Sequence, residues 1–352
     1  PIFLNNPTSF ENKEPMKIAI LTPTYAPYSG IDRIVEQQEQ ELTSQGHDVT
    51  IFTLSASMKP KHAKLVELGM PKNPFFQRVY RLFLFLDRGK VNHVVGQLVH
   101  FDKIISHLYP MTIFANLAKK KNPNIEYVYH NAGVGIVESY GFLEKLYLKL
   151  FNYFNNRMIR NCDSAVSISD YLRKVLKKET GIASSVEYVP VDMKRFHPGL
   201  DGKRIRKKLG IGKGPVLLYV GRISPHKGLH ILLQAFSLVK EKIPDAKLII
   251  VGKPTFRRYF LELQKNAPSG VIFAGFVPDE KLPSYYAACD VYATCSLWEG
   301  FDIPIVEAAY CGKPSVAFDV GSHPEVLKNG ILVKKGDVKG FADGVLKILV
   351  CV

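Results

Sequence analysis

The chain has a single tryptophan and only five cysteines in 352 residues, and the cysteines (162, 289, 295, 311 and 351) stand at no metal-binding or redox spacing. That spacing speaks against a zinc cluster or a disulfide framework, and reduced thiols in a cytoplasmic protein are the expectation. No apolar run approaches the roughly 18 residues that would cross a bilayer as a helix. The first residues, Pro-Ile-Phe-Leu-Asn-Asn, carry neither the basic start nor the apolar stretch of a secretory signal. Low-complexity tracts and short repeats are missing too. Acidic residues are in short supply, 32 Asp and Glu against 47 Lys and Arg, for a net charge of +15. Such an excess implies attraction to something anionic. The cations fall in short groups (Lys59–Lys64, Lys119–Lys121, Arg204–Lys208) without interleaved aromatics or a nucleic-acid module. Nucleic acid is therefore not the expected partner, which leaves phosphorylated substrates and an acidic membrane face.

What is present is a repeated strand–helix rhythm. The length fits two domains of about 150 residues each. Residues 1–15 are patternless and read as a disordered extension. Lys17–Thr22, a Pro/Gly loop, a helix over 31–44 and a strand at Val49–Thr53 form a β-loop-α-β unit, the opening of a parallel doubly wound sheet. Further strands are expected at 102–106, 125–129 and 164–168. Glycines and Pro198 mark 199–214 as a linker with a basic helix inside it. The pattern then restarts, with strands at 216–221, 247–252, 271–274, 291–293 and 315–318 and helices at 228–242, 279–288 and 304–311. The predicted architecture is α/β, with two Rossmann-like domains facing across a cleft: 16–198 and 215–352.

Two segments carry chemistry. Gly221-Arg222 ends a strand and Lys227-Gly228 opens the next helix, at the sheet edge where such folds bind ligands. Arg222 and Lys227 would meet a phosphate there; the plainer reading is a solvated basic loop. Downstream, Glu299-Gly300-Phe301-Asp302-Ile303-Pro304 leads into a helix that contains Glu307. Pro304 suits the first helical position. The amides near Phe301, Asp302 and Ile303 then lie at a helix N-terminus, which favours an anion. The carboxylates can accept sugar or ribose hydroxyls. Alternatively, Glu307 complements the helix dipole and Glu299 is solvated.

Together and in this order, these pieces resemble the retaining family 4 glycosyltransferases (glycosyl transferases group 1), over roughly residues 16–349. The resemblance rests on Glu299…Glu307 with Glu-Ala-Ala-Tyr-Cys-Gly-Lys-Pro (307–314) and on Gly221-Arg…Lys-Gly228. Tyr286-Ala-Ala-Cys-Asp290, Gly275-Phe-Val-Pro-Asp279 and Ser29-Gly30…Gly46-His47 add to it. It implies the two-domain GT-B fold and transfer of a hexose from a nucleoside diphosphate sugar to a hydroxyl of a glycan or lipid-linked acceptor. By that resemblance Arg222, Lys227, Glu299 and His130 are the catalytic residues, with Arg222 and Lys227 on the diphosphate, Glu299 on the sugar and His130 near the reacting centre. Glu307 would bind the ribose, Val277 the nucleobase side, and Gly30, Gly300, Phe301, Asp302 and Ile303 complete the donor site. No Asp-x-Asp pair stands at a strand end, so no metal and no cofactor are expected.

The chain departs from the family at Asp302, where glycine is usual, and at Ser29, which replaces the first glycine of a pair. It also ends at Val352, short of the usual last helices, which reads as a truncation. A sugar-nucleotide epimerase of the same fold, or a catalytically impaired sugar-nucleotide binder, is the alternative. Gly210-Ile-Gly-Lys-Gly214 precedes a strand and reads as linker. The apolar and basic stretches Phe75–Arg88 and 142–160 admit two readings, a peripheral contact with an anionic membrane or a core-packed helix with a solvated basic face.

Overall fold

The computed structural model describes residues 14–26, 30–135 and 140–350. Nearly all of the expected N-terminal extension lies outside the described residues, as do Ser29 and Cys351. The chain forms two compact units, residues 1–134 with 142–189 and residues 135–141 with 190–352.

In the first unit, strands β1 (Lys17–Thr22), β2 (Asp48–Thr53), β3 (Lys64–Glu67), β4 (Lys103–Ser106), β5 (Glu126–Asn131), β6 (Ser164–Ser167) and β7 (Ser185–Val186) form one parallel sheet. Their spatial order is β3-β2-β1-β4-β5-β6-β7. Helices α1 (Gly30–Ser44), α2 (Pro74–Leu82), α3 (Arg88–Leu98), α4 (Met111–Lys121), α5 (Phe142–Met158) and α6 (Asp170–Thr180) connect them. Every residue of β1 after Lys17 is buried. Such an unbroken apolar run is what a parallel sheet covered on both faces demands. Ile18 pairs with Val49 on one side and Lys103 on the other, which seats β1 between β2 and β4. Helix α6 shows the end signals clearly. Ser169 Oγ accepts from the Leu172 N–H at 3.1 Å, and Gly181 closes the helix with φ 78°.

The second unit opens with α7 (Lys203–Lys208), β8 (Val216–Val220), α8 (Leu229–Lys242), β9 (Lys247–Val251), α9 (Arg257–Asn266) and β10 (Val271–Gly275). It continues through α10 (Leu282–Ala288), β11 (Val291–Thr294), α11 (Ile303–Tyr310), β12 (Ser315–Phe318), α12 (His323–Val326), β13 (Gly330–Val333) and α13 (Val338–Val350). Its parallel sheet runs β10-β9-β8-β11-β12-β13. Leu217, Leu248, Ile250, Ala293, Val316 and Phe236 fill a core with essentially no exposure. Strand order reverses between β8 and β11, and the loops that follow these two neighbours meet at their carboxyl ends. A crevice at such a switch point is where open α/β sheets hold ligands.

The stretch 199–214, expected as a linker, is part of the second unit. Arg206 donates to Asp290 Oδ2 at 2.7 Å and to the Ala288 carbonyl at 2.9 Å, fixing α7 on the start of β11. At Gly202, a Cβ would stand 2.3 Å from the Ala288 nitrogen. The boundary also differs from the expected 198/199. Residues 135–141 group with the second unit, where Gly135 lies against Trp298 and Tyr140 beside His226, ring centroids 6.1 Å apart.

Candidate active site

Four buried or half-buried charged side chains converge at the carboxyl ends of β8 and β11. After β8 the chain turns through Gly221 and Arg222 into a short 3-10 turn, Pro225–Lys227, and Gly228 starts α8 with φ 64°. Only glycine fits there, because a Cβ would meet the Cys295 carbonyl oxygen at 2.0 Å. That close approach, together with the Leu297 N–H donating to the His226 carbonyl at 2.8 Å, locks the Lys227 loop against the segment leaving β11. As a result Lys227 Nζ is ion-paired with Glu299 Oε1, and both side chains are largely buried. The Glu299 carbonyl in turn accepts from the Ser322 N–H at 3.2 Å.

Burial alone would raise the Glu299 pKa. The charges of Lys227 and His323, with hydrogen bonds from Lys227 and Ser296, more than reverse this and bring it down to about 2. Glu299 is thus a carboxylate at any physiological pH. His226 goes the other way: burial first, then Lys227 and Arg222, lower its pKa to about 3 although Glu299 opposes them. Its ring is neutral, and Nδ1 lies 3.1 Å from Ser224 Oγ.

Asp302 sits at the N-terminus of α11 with φ 59° and ψ 69°, the one positive-φ residue other than glycine among the described residues. Its side chain does not cap the helix. Instead Asp302 Oδ2 lies 2.9 Å from His323 Nε2, and both side chains are buried. His323 Nδ1 reaches the Phe318 carbonyl at 2.6 Å. Desolvation disfavours the imidazolium, but Asp302, Glu299 and the Phe318 carbonyl outweigh it, and the pKa rises above the ordinary histidine value. A protonated ring donating from both nitrogens satisfies this geometry. The Asp302 carboxylate is therefore paired with a buried histidine.

Glu299, Asp302 and His323 each offer a ligand atom within 4.8 Å of the others. Their atoms are already engaged, by Lys227 on Glu299 and by His323 between Asp302 and Phe318. Two carboxylates, an ammonium and a histidine thus pair with one another in this cluster.

One turn into α11, Glu307 Oε2 accepts from the Tyr286 hydroxyl at 2.6 Å, with both residues buried. Arg222 is exposed, and its guanidinium makes no ion pair or hydrogen bond among the described residues. Its carbonyl accepts from the Tyr219 hydroxyl at 2.9 Å, which fixes the loop. Gly300, Phe301 and Ile303 are buried around Asp302, and Val277 is buried in the loop after β10.

The remaining two expected residues belong to the first unit. Gly30 is exposed at the start of α1. His130, near the end of β5, is buried, and burial lowers its pKa to about 4. Its ring lies 4.8 Å from that of His107, which follows β4, and Nδ1 of each has no hydrogen-bond partner among the described residues. His107 Nε2 is 2.9 Å from Gln38 Oε1. Sequence reasoning missed His323, His107 and Tyr286 as site residues. Tyr286 stood inside a quoted motif, whereas the two histidines had no local signal.

Two family models match the chain: Glycosyltransferase Family 4 over residues 28–195 and Glycosyl transferases group 1 over residues 201–351. The chain belongs to the family 4 glycosyltransferases. Among its relatives is the GDP-mannose-dependent alpha-(1-6)-phosphatidylinositol monomannoside mannosyltransferase of Mycolicibacterium smegmatis, 32% identical over 55% of this chain. That match spans about half of the relative, 54% of its length. Spore coat protein SA of Bacillus subtilis is 25% identical over 90% of this chain and 84% of its own length. The structure of Anabaena HepE in complex with UDP and glucose superposes with a TM-score of 0.74 at 22% identity, covering 96% of this family 4 chain and 89% of the other. The fold is thus GT-B, two Rossmann-like units with parallel sheets of seven and six strands.

Proposed function

We propose that the chain is a retaining, metal-independent hexosyltransferase that moves a hexose from a nucleoside diphosphate sugar to a hydroxyl of a glycan or lipid-linked acceptor. The observation that carries this reading is the Lys227–Glu299 pair, held at the β8/β11 switch point beside the N-terminus of α11. An ammonium has three donors, so Lys227 can keep one on Glu299 and turn the others to the diphosphate. Arg222, whose guanidinium has no partner among the described residues, supplies a second cation on the same loop. Together with the α11 dipole these charges stabilise the departing diphosphate electrostatically. Glu307, oriented by Tyr286, accepts from the ribose, and Glu299 from the donor sugar. In transfer with retention the departing phosphate takes the acceptor proton on the same face, and no carboxylate of the protein attacks the sugar. His130, with its depressed pKa, acts as a neutral hydrogen-bonding group rather than as a general acid. No resident cofactor takes part.

Arg222→Ala and Glu307→Ala should each lower transfer by roughly 100-fold or more; unchanged turnover in either variant would remove that residue from the site. Full activity is expected in EDTA, and loss restored by Mg²⁺ or Mn²⁺ would overturn the metal-free reading. A thermal-shift panel of UDP-, GDP- and ADP-sugars identifies the donor. A matching nucleotide sugar at about a hundred times its Kd should raise Tm on the order of 5 °C. A shift with none of them would refute the donor site, and turnover of the sugar nucleotide without acceptor would point to an epimerase.

A further inference from the structure

Helix α5 carries two apolar stripes. Tyr147, Phe151, Phe154 and Met158 pack into the core of the first unit. At about 100° per residue, Phe142, Leu143, Leu146, Leu150 and Tyr153 fall within one adjoining arc of roughly 100°. All five are exposed, Phe142 and Leu143 at 78% each. The reading of 142–160 as a core-packed helix with a purely basic solvated face is therefore corrected: the core takes one stripe and leaves the other bare.

Helix α2 and the turn after it repeat the arrangement next door. Phe75, Phe76 and Val79 are exposed on α2, and Phe83, Phe85 and Leu86 follow, with Phe75 at 68% and Leu86 at 67%. The two elements are tied side by side. Arg78 is ion-paired with Glu144 and lies over the Tyr147 ring at 5.6 Å, and Phe85 meets Phe154 at 5.5 Å between centroids. Soluble monomers rarely leave so much adjoining apolar surface bare.

The charges that accompany this surface are one-sided. Between Lys72 and Arg88 there are four cations and one carboxylate, Asp87, and between Phe142 and Arg160 again four cations and one carboxylate, Glu144. Arg81 is largely buried and Arg78 is paired with Glu144, which leaves Lys72, Arg88, Lys145, Lys149, Arg157 and Arg160 as the cations outside that pair. Lys145 and Lys149 follow Phe142 and Leu146 by three residues each, so they sit beside the bare stripe of α5. No helix among the described residues is long and apolar enough to cross a membrane. Aromatic and leucine side chains flanked by lysine and arginine suit the boundary between acyl chains and anionic headgroups.

We propose that α2, the turn at 83–86 and the outer stripe of α5 form a docking surface for an anionic lipid bilayer, entered by the aromatic side chains and held by the flanking cations. It is independent of the donor site, and vesicle binding needs no turnover, so its failure would leave the transferase reading untouched.

The test is co-sedimentation of the whole protein with phosphatidylcholine vesicles that do or do not contain phosphatidylglycerol. Binding is expected only with the anionic lipid and should fall at least tenfold when salt is raised from 0.05 to about 0.5 M, as the screening length shortens. F142S/L143S, F75S/F76S and K145E/K149E should each weaken binding at least fivefold with unchanged circular dichroism and melting, because all these side chains lie outside the core. Equal binding to pure phosphatidylcholine, or undiminished binding by all three double variants, would overturn the proposal. So would a dimer in solution, seen by analytical ultracentrifugation, that F142S/L143S returns to monomer.

Discussion

Lys227→Ala is expected to cost both stability and catalysis, and the two losses separate in a double variant. Glu299 is 7% exposed, and Lys227 is its counter-ion. Removing the ammonium leaves a buried carboxylate with only His323 and Ser296 in support, a change that typically costs about 3–5 kcal/mol. Chemical denaturation measures it. Transfer should fall by roughly 100-fold or more, since the same ammonium is proposed to meet the diphosphate. Lys227→Met with Glu299→Leu should bring stability back to within about 1 kcal/mol of wild type, because an apolar pair of similar volume needs no counter-charge. Transfer should stay lost. A Lys227→Ala protein as stable as wild type would show that the pair contributes nothing to the fold. The acid limb gives a second reading. Glu299 has a depressed folded pKa, so its pairing stabilises fully above the ordinary carboxylate value and is lost as pH falls toward about 2. The double variant should flatten that part of the stability curve.

The sequence made the parallel sheets and the two switch-point loops legible because both are local. Strands β8, β9, β11 and β12 are short unbroken apolar runs, and Arg222, Lys227, Glu299 and Glu307 lie on segments whose glycines and Pro304 announce a strand end and a helix start. β3 and β7 escaped because Lys64–Glu67 and Ser185–Val186 are the two short edge strands, without an apolar run. The basic helix α7 was legible within 199–214, but its docking on the second unit was not, since Arg206 finds its partner Asp290 84 residues away. Helix α5 shows a harder limit. Its apolar residues occupy two stripes, and periodicity alone does not say which one the rest of the fold covers. Asp302 was recognised as an anomaly but not resolved, because its partner His323 lies 21 residues on, beyond an intervening strand.

His323→Leu should be the second most damaging single change near the site, through Asp302. The imidazolium neutralises a carboxylate buried beside Glu299 at the start of α11. Without it, Asp302 is an uncompensated charge close to the proposed diphosphate position. About 3–5 kcal/mol of stability should go, and the donor KM should rise about tenfold or more by repulsion, with a smaller effect on kcat. Asp302→Gly in the same background should restore both, since glycine accepts the left-handed φ of 59° and leaves no charge behind. The pH dependence runs opposite to that of Glu299. His323 has a raised folded pKa, so the pair's contribution is complete below about 6.5 and fades as pH climbs through the raised value. The wild-type melting temperature should therefore decline on the alkaline side, and that decline should be absent from Asp302→Gly/His323→Leu. An unchanged KM and melting temperature in His323→Leu alone would mean that Asp302 needs no counter-ion, and the charge cluster at the β8/β11 crevice would lose its role in admitting the diphosphate.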